Sequence, residues 1–139
     1  MKDTGLLFLR LGLGIIMAFH GWPKILGGRD MWDGLGKTVS LLSTDLTPVA
    51  WGISTTVVWG FAAALSEFAG GILTALGYYQ RVAAFFLLVT MSMAVTMHVF
   101  KGDVFDVYSH ALALAFVFLS LTMTGAGKFS LDGKIRKVP

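Results

Sequence analysis

Four apolar stretches, each long enough to cross a lipid bilayer as a helix, constrain this sequence more than any other feature. A helix needs about 20 mostly apolar residues to cross the hydrocarbon, and lipid offers backbone groups no hydrogen-bond partner. The stretches run over 5–22 with an extension toward Leu26, from after Pro48 to near Gly77, over 82–100 and over 107–126. None alternates as barrel strands do. The sequence therefore predicts an all-α, integral membrane four-helix bundle.

Composition supports this prediction and excludes several functions. Of the 139 residues, 55% are apolar and 14% are charged, whereas soluble domains carry about 25% charged residues. The sequence contains no cysteine, so thiol catalysis, disulfides and cysteine-ligated metal centres are excluded. The basic residues occupy helix ends and loops rather than one stripe, so no nucleic-acid partner is predicted. We expect a single membrane domain over residues 1–139.

The segment between the first two stretches, residues 27–48, is amphipathic rather than apolar. Apolar residues recur in it at spacings of four, four and three, at Met31, Leu35, Val39 and Leu42. This spacing predicts a short helix at the membrane interface. Two glycines within the segment disfavour a helix, so a compact loop is the alternative.

The distribution of lysine and arginine predicts the orientation. With four spans, both termini share one side, which holds Lys2, Arg81, Lys128, Lys134, Arg136 and Lys137. The opposite side holds Lys24, Arg29, Lys37 and Lys101 together with five aspartates. The positive-inside rule therefore predicts that both termini are cytoplasmic.

Two charged residues lie well inside predicted spans, Arg10 in the first and Glu67 in the second. Charges in a membrane are costly and normally face the bundle in pairs. At 1.5 Å per residue, their depths are about 8 and about 15 Å, a difference that an arginine side chain can bridge. The sequence therefore predicts an Arg10–Glu67 pair. The pair either locks two helices together or tunes Glu67 for proton handling or ligand binding.

The three histidines form a second candidate site. His20, His98 and His110 each lie near the same end of their spans, and Lys24 follows His20 by one turn. Such a group could bind a quinone head group, carry protons or ligate a metal. Interfacial histidines with ordinary polar partners are the alternative. No metal site is predicted, because neither a His-x-x-His spacing nor a carboxylate partner is evident.

Several motifs together resemble the DoxX family of small bacterial and archaeal membrane proteins. They are Arg-Leu-Gly at 10–12, His-Gly-Trp-Pro-Lys at 20–24, Glu-Phe-Ala-Gly-Gly-Ile-Leu at 67–73, Gly-Tyr-Tyr-Gln-Arg-Val-Ala-Ala at 77–84 and Gly-Ala-Gly-Lys-Phe-Ser-Leu-Asp at 125–132. His98 also lies where the family often has a histidine. The resemblance implies a four-helix inner-membrane protein linked to respiratory or redox chemistry, such as a subunit of a thiosulfate:quinone oxidoreductase.

These observations lead to one hypothesis and one alternative. The hypothesis is a membrane subunit that binds quinone, or a similar small amphipathic molecule, within the bundle. The candidate ligand-binding or proton-handling residues are Arg10, His20, Lys24, Glu67, His98 and His110. No covalently bound cofactor is expected and no catalytic residue is assigned, so any electrons would come from a partner membrane or redox protein. The alternative is a non-catalytic accessory subunit of a larger complex, or a homo-oligomer.

Overall fold

The computed structural model describes residues 1–40 and 54–135, with side chains as far as residue 38 in the first range. The described helices are α1 (Lys2–Leu26), α2 (Gly28–Ser40), α3 (Thr55–Leu76), α4 (Gln80–Lys101), α5 (Phe105–Thr124) and α6 (Leu131–Ile135). Four of these, α1, α3, α4 and α5, are long and apolar enough to cross a membrane. The predicted all-α, four-helix membrane architecture is thus confirmed.

Local sequence signals explain the helix ends. Ser54 caps α3 by accepting a hydrogen bond from the Val57 backbone N–H, as N-cap serines commonly do. Gly77 and Gly102 end α3 and α4 in the left-handed conformation, which glycine adopts without steric cost. The predicted start of the second span, after Pro48, lies outside the described residues, within which α3 begins at Thr55.

The amphipathic segment forms a helix, α2, as the sequence predicted, and residues 41–48 of that prediction lie outside the described range. The helix packs against the first half of α3 through glycines. A Cβ at Gly36 would collide with the Thr56 backbone carbonyl, and one at Gly60 would collide with that of Trp32. Because the higher-numbered residue of α2 meets the lower-numbered residue of α3, the two helices run antiparallel.

Glycines also bring α1 and α3 into backbone contact. A Cβ at Gly14 would lie 2.5 Å from the Gly71 carbonyl oxygen and 2.5 Å from the Ala75 nitrogen. One helical face of α1 is buried along this seam, and its buried residues are Arg10, Gly14, Met17 and Gly21. Small residues on this face let the two backbones approach each other closely.

The bundle consists of two tightly packed helix pairs, α1 with α3 and α4 with α5. The apolar core between the pairs contains Met17, Ala84, Leu87, Met91, Ala115, Phe118 and Leu121. We call the end where α1 and α4 begin the proximal end, and the opposite end the distal end. The core residues of α1, α4 and α5 lie mainly in the proximal half. The distal half between the pairs is left open.

Candidate functional site: a cavity in the distal half of the bundle

A cavity of about 550 Å³ occupies the space between the helix pairs. Side chains from α1, α2, α3, α4 and α5 line it, and a pocket of this size suits a small organic ligand. Five of the six residues predicted for the site lie in its wall, namely His20, Lys24, Glu67, His98 and His110. The structure therefore brings together side chains that are up to 90 positions apart in sequence.

An ion pair between Glu67 and Lys24 forms the charged part of the cavity. The Lys24 Nζ donates to Glu67 Oε1 at 2.7 Å and to Oε2 at 2.5 Å. The Glu67 side chain is 4% exposed and that of Lys24 is 23% exposed. The carboxylate therefore depends on the lysine for charge compensation, whereas the lysine keeps partial contact with the surroundings.

The predicted Arg10–Glu67 pair is wrong. Arg10 is almost fully buried, but it lies beside the proximal end of α3 and does not line the cavity. Its guanidinium donates to the Phe129 carbonyl at 2.7 Å and, at 3.5 Å each, to the carbonyls of Thr74 and Ala75. The last turn of a helix has carbonyls without helical partners, and Arg10 compensates those of α3 and holds the segment that follows α5.

Helix register is the physical reason for this correction. Arg10 and Lys24 lie on one face of α1, but depth along two helices does not fix which residues meet. Gly14 lies against Gly71 and Gly21 against Phe68. This register places Lys24 beside Glu67 and Arg10 beside the last turn of α3.

The cavity also contains the three histidines, and a carboxylate outside the cavity contacts one of them. His98 Nδ1 lies 2.7 Å from Asp103 Oδ2, and both side chains are partly buried. His98 lines the cavity, whereas Asp103 does not. His20 and His110 line it from α1 and α5. The imidazoles are spread along the cavity, because His20 lies one turn nearer the proximal end than Lys24, whereas His98 and His110 lie near the distal ends of α4 and α5.

One wall of the cavity is apolar and open to the surroundings. Trp59 of α3 and both Phe85 and Phe86 of α4 line the cavity and are about half exposed. Half-exposed aromatic side chains on spanning helices face lipid. These aromatic side chains thus belong both to the cavity wall and to the outer surface of the bundle.

Helix α2 supplies the remaining wall, through Leu35 and Thr38. Its position depends on Asp33, whose carboxylate accepts hydrogen bonds from the hydroxyls of Thr56 and Ser54 on the α3 side. The Thr56 hydroxyl, together with hydrogen bonds from Lys37 and Ser54 and the charge of Lys37, lowers the pKa of Asp33. The ionised carboxylate is therefore the form that holds α2 against α3.

The donor set suits an organic molecule better than a metal ion. Within residues 1–40 and 54–135, no group of three histidine, aspartate or glutamate side chains is arranged to hold a metal. The cavity combines imidazole, ammonium and carboxylate groups with hydroxyls of Ser66 and Thr90, which hydrogen-bond to each other at 3.1 Å. These groups can hydrogen-bond to the polar head of a ligand whose remainder lies against the apolar wall.

The sequence analysis missed two polar contacts, one made by Asp103 beside the cavity and one made by Asp132 at the proximal end of the bundle. Asp103 was counted only as a charge in a loop, and the signal for its role was its position directly after the helix-ending Gly102. Asp132 binds the start of α4, where its carboxylate accepts from the backbone N–H groups of Tyr79 and Gln80 at 3.0 and 2.9 Å. Its distance of more than 50 residues from α4 left no local signal.

Four spanning helices around a cavity that contains a buried ion pair define the class, a small polytopic helical membrane protein. The family model described as DoxX matches residues 5–99. The chain therefore belongs to the DoxX family. The match includes Glu67 and His98 but ends before His110 and the segment around Asp132. No curated protein and no solved structure matches the chain.

Proposed function

We propose that this protein binds a quinone, or a similar small amphipathic molecule, in the distal cavity as the membrane subunit of a redox system. The head group of the ligand meets Lys24, Glu67 and the three histidines, and its apolar part lies along Trp59 and the two phenylalanines. The protein itself supplies binding and proton-accepting groups, while a partner redox protein supplies or removes electrons.

One observation carries the proposal, namely that a buried ion pair borders a cavity with a half-exposed apolar wall. A pair serving only as a lock between helices needs no cavity beside it, and a solid apolar core would pack around it. Here Glu67 and Lys24 both line the cavity wall. Buried charges beside such a cavity are typical of ligand and proton sites in membrane proteins.

Mass spectrometry of small molecules extracted from the gently purified protein tests the proposal. The parent protein is compared with Glu67→Gln, which removes the charge, and with Ala63→Leu, which fills the cavity from its α3 wall. We expect a quinone-class molecule in the parent and its depletion in both variants. The matched control is Ala113→Leu, an equal enlargement at an exposed position of α5 outside the cavity.

Three outcomes would count against the proposal. Retention of the same molecule in Ala63→Leu would show that it binds elsewhere on the protein. Its loss from the Ala113→Leu control would assign the effect to lipid packing rather than to the cavity. Extracts without any specific ligand, from protein that copurifies with stoichiometric larger subunits, would favour the accessory role.

The accessory role is the second candidate, and one observation favours it. Of the most apolar 18-residue stretch of α5, 11% is buried within the described chain, which is the smallest fraction among the four candidate spans. A spanning helix so little covered by its own chain offers a surface to another membrane protein or to a second copy. Cross-linking from α5 in native membranes would identify such a neighbour.

We further propose that both termini are cytoplasmic, as the positive-inside rule predicts, and that the membrane is a bacterial or archaeal inner membrane, as membership of the DoxX family suggests. The absence of native cysteine makes the test direct. Lys128→Cys lies at the proximal end and Lys101→Cys at the distal end. In intact cells, a membrane-impermeant maleimide should label the cysteine at 101 and not the one at 128. The reverse labelling would invert the orientation.

A further inference from the structure

The end of α4 brings Asp103 to His98 through backbone geometry. Gly102 adopts φ 75° and its N–H donates to the Val99 carbonyl, while the Asp103 N–H donates to the His98 carbonyl at 3.1 Å. This double hydrogen bond is the usual left-handed helix ending, and it folds the next residue back over the last turn. The Asp103 side chain is thereby held beside the imidazole of His98.

Helix termination alone does not explain an aspartate at this position. The C-terminal end of a helix carries partial negative charge, so a carboxylate there is electrostatically unfavourable. The compensating contact is the 2.7 Å hydrogen bond with His98 Nδ1. A carboxylate hydrogen-bonded to one imidazole nitrogen fixes the ring orientation and the tautomer of the histidine.

The tautomer determines what His98 offers to the cavity. A carboxylate accepts hydrogen bonds but does not donate them, so Nδ1 carries the proton. In a neutral imidazole, the other nitrogen, Nε2, is then an acceptor with a free lone pair. His98, which lines the cavity, therefore has an acceptor at Nε2.

We propose that the Asp103–His98 pair makes the cavity selective for a ligand that bears a ring hydroxyl, the hydroquinone form, over the corresponding carbonyl form. This inference rests on the proposed function and names the redox state of the ligand bound there. A hydroxyl donates to Nε2, whereas a quinone carbonyl meets a second acceptor and leaves both unpaired. Asp103 acts as a positioning residue through His98, since it does not line the cavity.

Binding of one probe in two redox states tests the inference. Tetramethylbenzoquinone and its hydroquinone are titrated anaerobically, at mildly alkaline pH, into the purified protein by calorimetry. We expect the hydroquinone to bind about threefold to tenfold more tightly, the ratio that one net hydrogen bond gives. In Asp103→Asn, the amide can either accept from Nδ1 or donate to it, so neither tautomer of His98 is fixed. The preference for the hydroquinone should then fall toward equal binding of the two forms.

Two further variants make the result specific. Asp106→Asn removes the same charge at the distal end, on a residue outside the cavity wall, and should keep the parent preference. His98→Gln should bind both forms equally, because an amide both donates and accepts. The measured quantity is a ratio of affinities within one variant, so a general loss of folded protein does not imitate the effect.

The outcomes separate this inference from the proposed function. Equal affinity of the parent for both forms, or an unchanged preference in Asp103→Asn, would overturn the selectivity while leaving ligand binding intact. If neither form binds to the parent protein, ligand binding of this class is refuted and the selectivity with it.

Discussion

Removal of Lys24 should destabilise the protein more than removal of its partner Glu67. The two charges are 2.5–2.7 Å apart, which corresponds to an attraction of about 6 kcal/mol at an effective dielectric constant of ~20. Much of this attraction offsets the desolvation of the two ions, but loss of one partner leaves the other uncompensated. The cost of each substitution therefore depends on how well the remaining charge reaches water.

The solvent exposure of the two side chains determines which substitution costs more stability. In Lys24→Met, the carboxylate of Glu67 stays in a site where it is 4% exposed, and we expect a loss of about 3–5 kcal/mol. In Glu67→Gln, the 23% exposed lysine can extend toward the distal surface, and we expect a loss of about 1–2 kcal/mol. The loss of stability in the double variant should be at least ~2 kcal/mol smaller than the sum of the two single losses.

Unfolding in mixed detergent micelles, followed by far-ultraviolet circular dichroism, measures these differences. Lys101→Met is the matched control, because Lys101 is exposed at the same end of the bundle and does not line the cavity. It should change the stability by no more than ~0.5 kcal/mol. A larger loss in Glu67→Gln than in Lys24→Met, or additive losses in the double variant, would refute the argument from burial.

Three further predictions concern the packing around the site. Gly14→Ala should destabilise the protein by about 1–3 kcal/mol in the same assay, because its Cβ meets α3 backbone, whereas Gly12→Ala, with nothing within 4 Å, should be neutral or stabilising. Arg10→Met should speed amide hydrogen exchange in the segment that follows α5, and unchanged exchange there would contradict the assigned contact. Because the pKa of Asp33 is lowered in the folded protein, its contribution is complete above the unfolded value of about 4 and is lost as the pH falls further. Acid should therefore loosen α2 in the parent and less so in Asp33→Asn, and equal acid responses would exclude the contact with Thr56.

The fold was predictable because only helices and closed barrels satisfy the backbone hydrogen-bonding groups within lipid. Apolar runs of sufficient length had to become helices, and the periodic segment before α3 became α2. Even the buried face of α1 followed from its small residues, since Gly14 and Gly21 permit backbone contact. These features depend on neighbours within a few turns, which a single sequence contains.

The sequence predicted which residues belong to the candidate site, but not which of them form the ion pair. The sequence indicated that the histidines share one end of the bundle, and they do line one cavity. The ion pairing could not be derived, because it depends on the register between α1 and α3, which the depth of each residue within its own span does not fix. That register is set by glycine contacts over the whole interface. The Asp103 contact depends on a helix-ending geometry that composition does not reveal.

The contact between Arg10 and the Phe129 carbonyl has a consequence for biogenesis. The two residues are separated by 119 positions, and synthesis proceeds from the N-terminus at about 5–20 residues per second. Arg10 is thus synthesised seconds before Phe129, and until then its guanidinium has the α3 carbonyls, water or lipid phosphates as partners. The contact that joins α1 to the segment after α5 therefore forms late, once residue 129 has left the ribosome.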